Sequence, residues 1–308
     1  MYNFLKEKYQ IEELSSIKMT PLIYRINTNK GKYIVKEVKD DSLNKIYARM
    51  ELLNIEYFNI PLINSNNLYV NEENDHYYEV LNYYNEENIS GFDLKISFFI
   101  RAIALMHKSS YVNINASDHY LESTLNFLDE QIKNISEAIE SRIEVIERND
   151  YHSPNEWFFL LNYDLFQSSL EEASRFVLEF ENKVKENKKL RICLTYQNFS
   201  FDHVILKQEK IISTEKMAYN IASYDLYNLI SSLNVDNLDI ASYVEEYLKI
   251  NDLLDYEKDY LLAVLYIFPY HRFQNNFDDL KHLIYLKNYL EKVKNINEKI
   301  IFSSPSEE

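Results

Sequence analysis

The chain has 308 residues, 46% of them hydrophobic, and a formal net charge of −16. This length suffices for one large domain or two lobes with buried cores, while the acidity argues against general binding to nucleic acid or anionic membrane, whose phosphates need a basic face. Only two glycines (Gly31, Gly91) and one cysteine (Cys193) occur, which excludes a glycine-rich phosphate cradle, an intramolecular disulfide and a cysteine-built metal site.

The N-terminal stretch MYNFLKEKYQIEEL is charged and lacks the apolar run of a secretory signal. No run of 18 uncharged apolar residues exists, so no transmembrane helix and synthesis in a cytoplasm are expected. IKMTPLIYRINTNKGKYIVKEVK holds two apolar runs around a turn at 27–31, a hairpin signal with Gly31 free to take positive φ. In KYIVKEV, Tyr33 and Val35 fall on one face and Ile34 and Lys36 on the other. The apolar positions 43, 46, 47, 50 and 53 predict a helix capped by Asp41 or Ser42, and NLYVN and HYYEVLNYY predict two strands. Residues 1–85 therefore read as a small lobe of order β-β-β-α-β-β.

From residue 90 the pattern turns helical. DLKISFFIRAIALMHKSS predicts an apolar helix ending near His107, whose charge suits a last helical turn. Apolar residues at 121, 125, 128, 132, 135, 139 and 146 predict a long helix capped by Ser117 or Asp118. Positions 166, 170, 173, 177, 180 and 184 share one face of a further helix. The strand-like stretches left are RICL, carrying Cys193 in a core setting, VIL and KIIST, followed by three or four helices to about residue 297. The expected organisation is an N-lobe at 1–85, a helical C-lobe at 86–300 with a helical insertion at about 118–185, and a loose tail at 301–308.

One stretch gathers polar residues between two apolar ones: LTYQNFSFDHVIL, residues 194–206. With YIVK at 33–36, ALMHKSS at 104–110 and SYDLYNLI at 223–230 it resembles, in order, the anchors of the kinase-like fold. The resemblance implies a two-lobed α+β protein. Lys36 takes the place of the strand lysine that meets nucleotide phosphates, and Glu51 that of its helix partner. Asp225 takes the place of an aspartate that holds the catalytic loop from beneath. SPNEWFFLLNYDLFQSSLEEASRFVLEF, YNIASYDLYNLI and LYIFPYHRFQNNF further resemble the YutH-like branch of the CotS-like spore coat family, within the aminoglycoside phosphotransferase and kinase-like group. That likeness implies a spore coat protein made in the mother-cell cytoplasm, with other coat proteins as partners, neither nucleic-acid binding nor membrane insertion, and no resident cofactor.

The departures decide the expected chemistry. In the H-x-D-x-x-x-x-N frame this chain places Tyr196, Asn198 and His203. Asn198 cannot take a proton at neutral pH, and His203 is a poor ligand for Mg²⁺. The metal aspartate falls at Ser213 counted back from Asp225, or at Lys216 counted forward from His203, and residues 203–224 contain no aspartate. The expectation is a catalytically dead site with no metal and weak or absent nucleotide binding. The alternative is an atypical phosphotransferase using Lys36 with Glu215 or His203 as base. Asn198 and His203 also suit a tight polar turn, and Tyr196 suits core packing. Adjacent residues of an extended segment point to opposite faces, so Asp202 and His203 need not act together, and His271–Arg272 fits a helix end.

Overall fold

The computed structural model describes residues 3–85, 91–233, 238–270 and 277–302. His271, Arg272 and residues 303–308 of the expected tail lie outside them. In chain order the helices are α1 Asn3–Tyr9, α2 Leu43–Leu52, α3 Phe92–Ser110, α4 Asp118–Glu147, α5 Pro154–Leu161, α6 Tyr163–Asn187, α7 Ser223–Ser232, α8 Ile240–Ile250, α9 Asp255–Tyr266 and α10 Phe277–Phe302. The strands are β1 Glu13–Thr20, β2 Ile23–Thr28, β3 Gly31–Val38, β4 Val70–Glu73, β5 His76–Asn82, β6 Val112–Asn115, β7 Lys189–Thr195, β8 Val204–Ile205, β9 Lys210–Ile211 and β10 Ala218–Asn220. By contacts the chain forms two compact units, residues 1–110 with 194–219, and residues 111–193 with 220–308.

The first unit is built on a five-stranded antiparallel sheet of order β1-β2-β3-β5-β4. The β2–β3 hairpin closes with Thr28 opposite Gly31, and Gly31 takes φ +140°, which a side chain would strain. Alternation along β3 splits its side chains as the sequence predicts. Val35 enters a core of Phe4, Leu5, Ile11, Ile26 and Val80, with Tyr33 packed against it. Ile34 and Lys36 face the opposite side, where a cavity lies. Helix α1 supplies Phe4 and Leu5 to that core, an element too short and too charged to stand out in sequence. Helix α2 buries Leu43, Tyr47 and Met50, one residue per turn. Ser42 holds the predicted N-cap position but makes no side-chain cap bond. Instead Asp40 Oδ1 accepts from Ser42 N at 2.9 Å, and Asn44 N meets the Asp41 carbonyl.

The second unit is helical. Helix α4 buries 121, 128, 135, 139 and 146 of its predicted stripe, and Ser117 caps it by accepting from Tyr120 N at 3.2 Å. Every predicted core position of α6 is buried: Phe166, Leu170, Ala173, Val177, Phe180 and Val184. Between them the short helix α5 starts at a Ser153–Glu156 capping box. Strand β6 pairs antiparallel with β7, from Val112 opposite Ile192 to Asn115 opposite Lys189.

Candidate functional site

Cross-strand register creates the centre of the site in the first unit. Lys36 on β3 stands directly opposite Glu79 on β5, so both side chains rise from the same face of the sheet. Glu79 is 1% exposed. Burial pushes its carboxyl up to about 7, only partly offset by the Lys36 charge and the Tyr47 hydroxyl. Tyr47 reaches over from α2 and donates to Glu79 Oε2 at 2.9 Å, with Thr214 Oγ1 3.2 Å from the same hydroxyl. Burial and then the Glu79 charge push the Tyr47 phenol up.

Lys36 Nζ lies 2.6 Å from Glu215 Oε2. Both side chains are largely withdrawn from water, 13% and 23% exposed. Glu215 sits on a single 3-10 turn, Thr214–Lys216, entered through Ser213 in the left-handed region at φ +63°. That turn aims Glu215 at the strand lysine and buries Thr214, while Lys216 points to solvent. The structure does not bring Lys36 and Glu51 together. Glu51 accepts from Tyr69 Oη at 2.6 Å and occupies the exposed side of α2.

The loop after β7 is tied down by its own polar groups. Tyr196 is fully buried and donates to the Ile212 carbonyl at 2.5 Å. Its ring packs on Phe58 and Phe99. Asn198 Nδ2 donates to the Ser213 carbonyl at 3.1 Å. His203 Nδ1 lies 2.8 Å from the Asn198 carbonyl and 3.0 Å from Tyr196 Oη. A carbonyl only accepts, and the tyrosine proton is given to Ile212, so Nδ1 must carry hydrogen. That nitrogen is therefore not available as a metal ligand. Asp202 is exposed, and its backbone N–H rather than its carboxylate holds the turn, through Ser200 Oγ at 3.4 Å. Gln197, between Tyr196 and Asn198, takes φ +60°.

A cavity of about 260 Å³ is walled mainly by apolar and aromatic side chains such as Ile23, Ile34, Leu81 and Ile212, with Lys36, Asn59, Asn82, Asp202 and Ser213 as its polar members. It lies just below the usual range for small-molecule sites and has their character, an apolar body with a few polar groups. The turn that joins β1 to β2 is Pro21–Leu22. Proline has no N–H to offer a phosphate, and no glycine allows close backbone approach. Magnesium with bound phosphates would need several hard oxygen donors in octahedral geometry. Here His203 offers a ring nitrogen, Glu215 is held by Lys36, and the cavity wall carries, among the described residues, a single carboxylate, the exposed Asp202. Among the described residues no group of three His, Cys, Asp or Glu side chains could hold a metal ion. The residues present do not fit a nucleotide–metal complex.

In the second unit Asp225 is buried, as the third residue of α7 and not its N-cap, which is Ala222. A carboxylate in a first turn is favoured by the helix dipole. Asp225 also helps burial raise the pKa of the Cys193 thiol, which sits on β7. In the first unit His107 is buried in the last turn of α3, where the hydroxyls of Ser109 and Ser110 bond the Met106 carbonyl at 3.0 and 2.7 Å.

Glu79, Tyr47 and Thr214 do not emerge from sequence reasoning as site residues. Glu79 left a faint mark, an acid inside the otherwise apolar run of HYYEVLNYY. Tyr47 reads as one more core position, and Thr214 is 167 residues away from it.

No family model matches the chain, and no curated protein matches it. Solved structures do. An aminoglycoside phosphotransferase from Alicyclobacillus acidocaldarius subsp. acidocaldarius DSM 446 is similar with a TM-score of 0.62 at 11% identity, over 96% of this chain and 95% of that chain. Spectinomycin phosphotransferase, solved with ADP and spectinomycin, is similar with a TM-score of 0.53 at 13% identity, over 96% of this chain and 97% of that one. The chain therefore has the aminoglycoside phosphotransferase and kinase-like fold, a small antiparallel sheet followed by a mostly helical part.

Proposed function

We propose that this chain is a catalytically inactive kinase-like protein that works through protein–protein contacts. The observation that carries this reading is the Asn198 side chain. In the sequence frame it takes the place of the proton-accepting carboxylate of a phosphotransferase, and its side-chain nitrogen braces the Ser213 carbonyl at 3.1 Å. Lys36 supports the same reading, because its charge is taken up by Glu215 at 2.6 Å. The sequence likeness to CotS-like proteins of the YutH-like branch suggests the role we assign: a spore coat component, made in the mother-cell cytoplasm, that joins other coat proteins during assembly. The net charge of −16 agrees with partners other than nucleic acid. No helix among the described residues is long and apolar enough to cross a membrane. Asp225 keeps a structural role, and no resident cofactor is part of this reading.

The rival reading is an atypical phosphotransferase that uses Lys36 with Glu215 or His203 as base. The cavity beside Lys36 is the observation that favours it. ATP turnover with Mg²⁺ or Mn²⁺, followed over hours with water and hydroxyl acceptors, separates the two. The inactive reading expects the uncatalysed background. A rate above it that disappears in Lys36→Ala would establish the enzyme instead.

A further inference from the structure

From the outer edge of the five-stranded sheet we infer that β1 is a self-association surface, pairing antiparallel with β1 of a second copy of this chain. The inference is independent of the site reading. Strand β1 is terminal in the sheet, and among the described residues only β2 pairs with it. An edge strand presents unpaired backbone N–H and C=O groups to any strand that can lie beside it. Every residue of β1 after Glu13 is exposed, over eight residues of strand. The exposure includes apolar side chains, Leu14 at 69%, Ile17 at 47% and Met19 at 54%.

Charge selects the occupant. The segment reads Glu12-Glu13-Leu14-Ser15-Ser16-Ile17-Lys18-Met19, acidic at its start, neutral at its centre and basic at its end. Antiparallel pairing of two copies about Ser15–Ser16 sets the acidic end of each beside the basic end of the other. Lys18 of one copy then reaches Glu12 and Glu13 of its partner, twice by symmetry. Opposite charges facing across antiparallel strands are favourable and like charges are not. Parallel stacking of two copies would set like against like. Register breaks with β2 bracket the regular stretch between Ser15 and Lys18. A bulge and a lysine are the usual guards of an edge against indiscriminate pairing. Here the lysine, which lies 5.7 Å from the Tyr24 ring centre, admits a strand with acid at the facing position. Glu12 is held only loosely in the single copy, 3.9 Å from the exposed Lys6. The covered apolar residues and the new ladder bonds supply the attraction, and the charges supply the direction.

Sedimentation velocity of the full chain, from low to high micromolar concentration, tests this. A concentration-dependent dimer is expected. Lys18→Glu alone and a Glu12→Lys/Glu13→Lys pair alone should each weaken it about tenfold, because both symmetric contacts become repulsive. Combining all three reversals should restore the wild-type dissociation constant. Thermal melts of the variants check that the sheet is intact, Glu12 and Lys18 being exposed and Glu13 partly so. A wild-type chain that stays monomeric throughout overturns the proposal and leaves the edge to a different strand. A combined variant as weak as the single reversals overturns it too, because the charges would not face one another.

Discussion

Two acid–base pairs divide the molecule by purpose. In the second unit Arg191 grips Glu257 through two nitrogens, Nε to Oε1 at 3.0 Å and a terminal nitrogen to Oε2. The guanidinium stacks 3.9 Å from the Tyr111 ring centre and donates to the Asp252 carbonyl. Glu257 also accepts the Leu254 N–H at 2.8 Å. Almost every donor and acceptor in that cluster is answered, which is the condition under which a buried charge is tolerated. In the first unit Lys36 meets Glu215 at 2.6 Å, beside a second, buried acid. The Arg191 cluster is closed on itself by its own contacts, whereas Lys36 borders a cavity.

The largest effect should come from breaking the closed pair. Glu257→Ala removes the fully buried carboxylate and leaves the half-buried Arg191 uncompensated, which costs about 3–5 kcal/mol. Urea denaturation at neutral pH reads the loss. A loss below about 1 kcal/mol would place this pair with ordinary surface pairs and erase the contrast.

Next is Glu79, and here pH is the probe. Its folded pKa is raised from 4.5 to about 7. Between those values the folded chain holds a proton that the unfolded chain has released. The stabilisation is complete below about 4.5 and is lost as pH rises through about 7. The shift corresponds to about 3 kcal/mol across the window. Glu79→Gln should remove this slope. Asp259, also raised, to about 6, acts in the same direction at lower pH and remains in the variant. Denaturation between pH 6 and 8 therefore isolates Glu79, whose charged neighbours are Lys36 and Glu215, with Tyr47 on its hydrogen bond. Parallel stability curves for wild type and variant would contradict the burial argument.

Asp225→Ala should cost about 1–3 kcal/mol, the range for leaving the partners of a buried group unsatisfied. Chemical denaturation measures it, and a loss under half of the lower figure would remove the structural role. A loss of similar size is expected at Lys36. Lys36→Met removes a largely buried cation and leaves Glu215, itself mostly withdrawn from water, unpaired beside the buried Glu79, which should cost about 1–3 kcal/mol. A loss as large as that of Glu257→Ala would put this pair on the same structural footing as Arg191–Glu257.

The helices were legible because their signal is local. The stripe of α6 repeats at three- and four-residue spacing through six buried positions, and sequence spacing alone specifies that face. Strands β6 and β10 span four and three residues, too short for period-two alternation to register. Several turns were hidden by the scarcity of glycine. Gln197, Glu209 and Ser213 take positive φ where glycine would be relaxed. Each costs about 1–2 kcal/mol, and none carries a composition cue. At the site, the departures from the kinase-like frame could be read from single letters, Asn198 and His203. The Lys36–Glu79–Tyr47–Thr214 cluster could not, because its members meet only after strand register and a distant turn are fixed.

The proposed inactive reading expects that Lys36 and the cavity beside it do not hold a nucleotide with its metal. The most direct measurement is a thermal-shift titration with ATP, with and without Mg²⁺, on wild type and Lys36→Ala. Ligand at a hundred times its dissociation constant stabilises a fold by about 2.7 kcal/mol, so binding in the millimolar range is readable. Little or no rise in Tm with ATP is expected, the same with and without Mg²⁺, and no difference between the two proteins. A clear rise that grows with Mg²⁺ and vanishes in Lys36→Ala would contradict it.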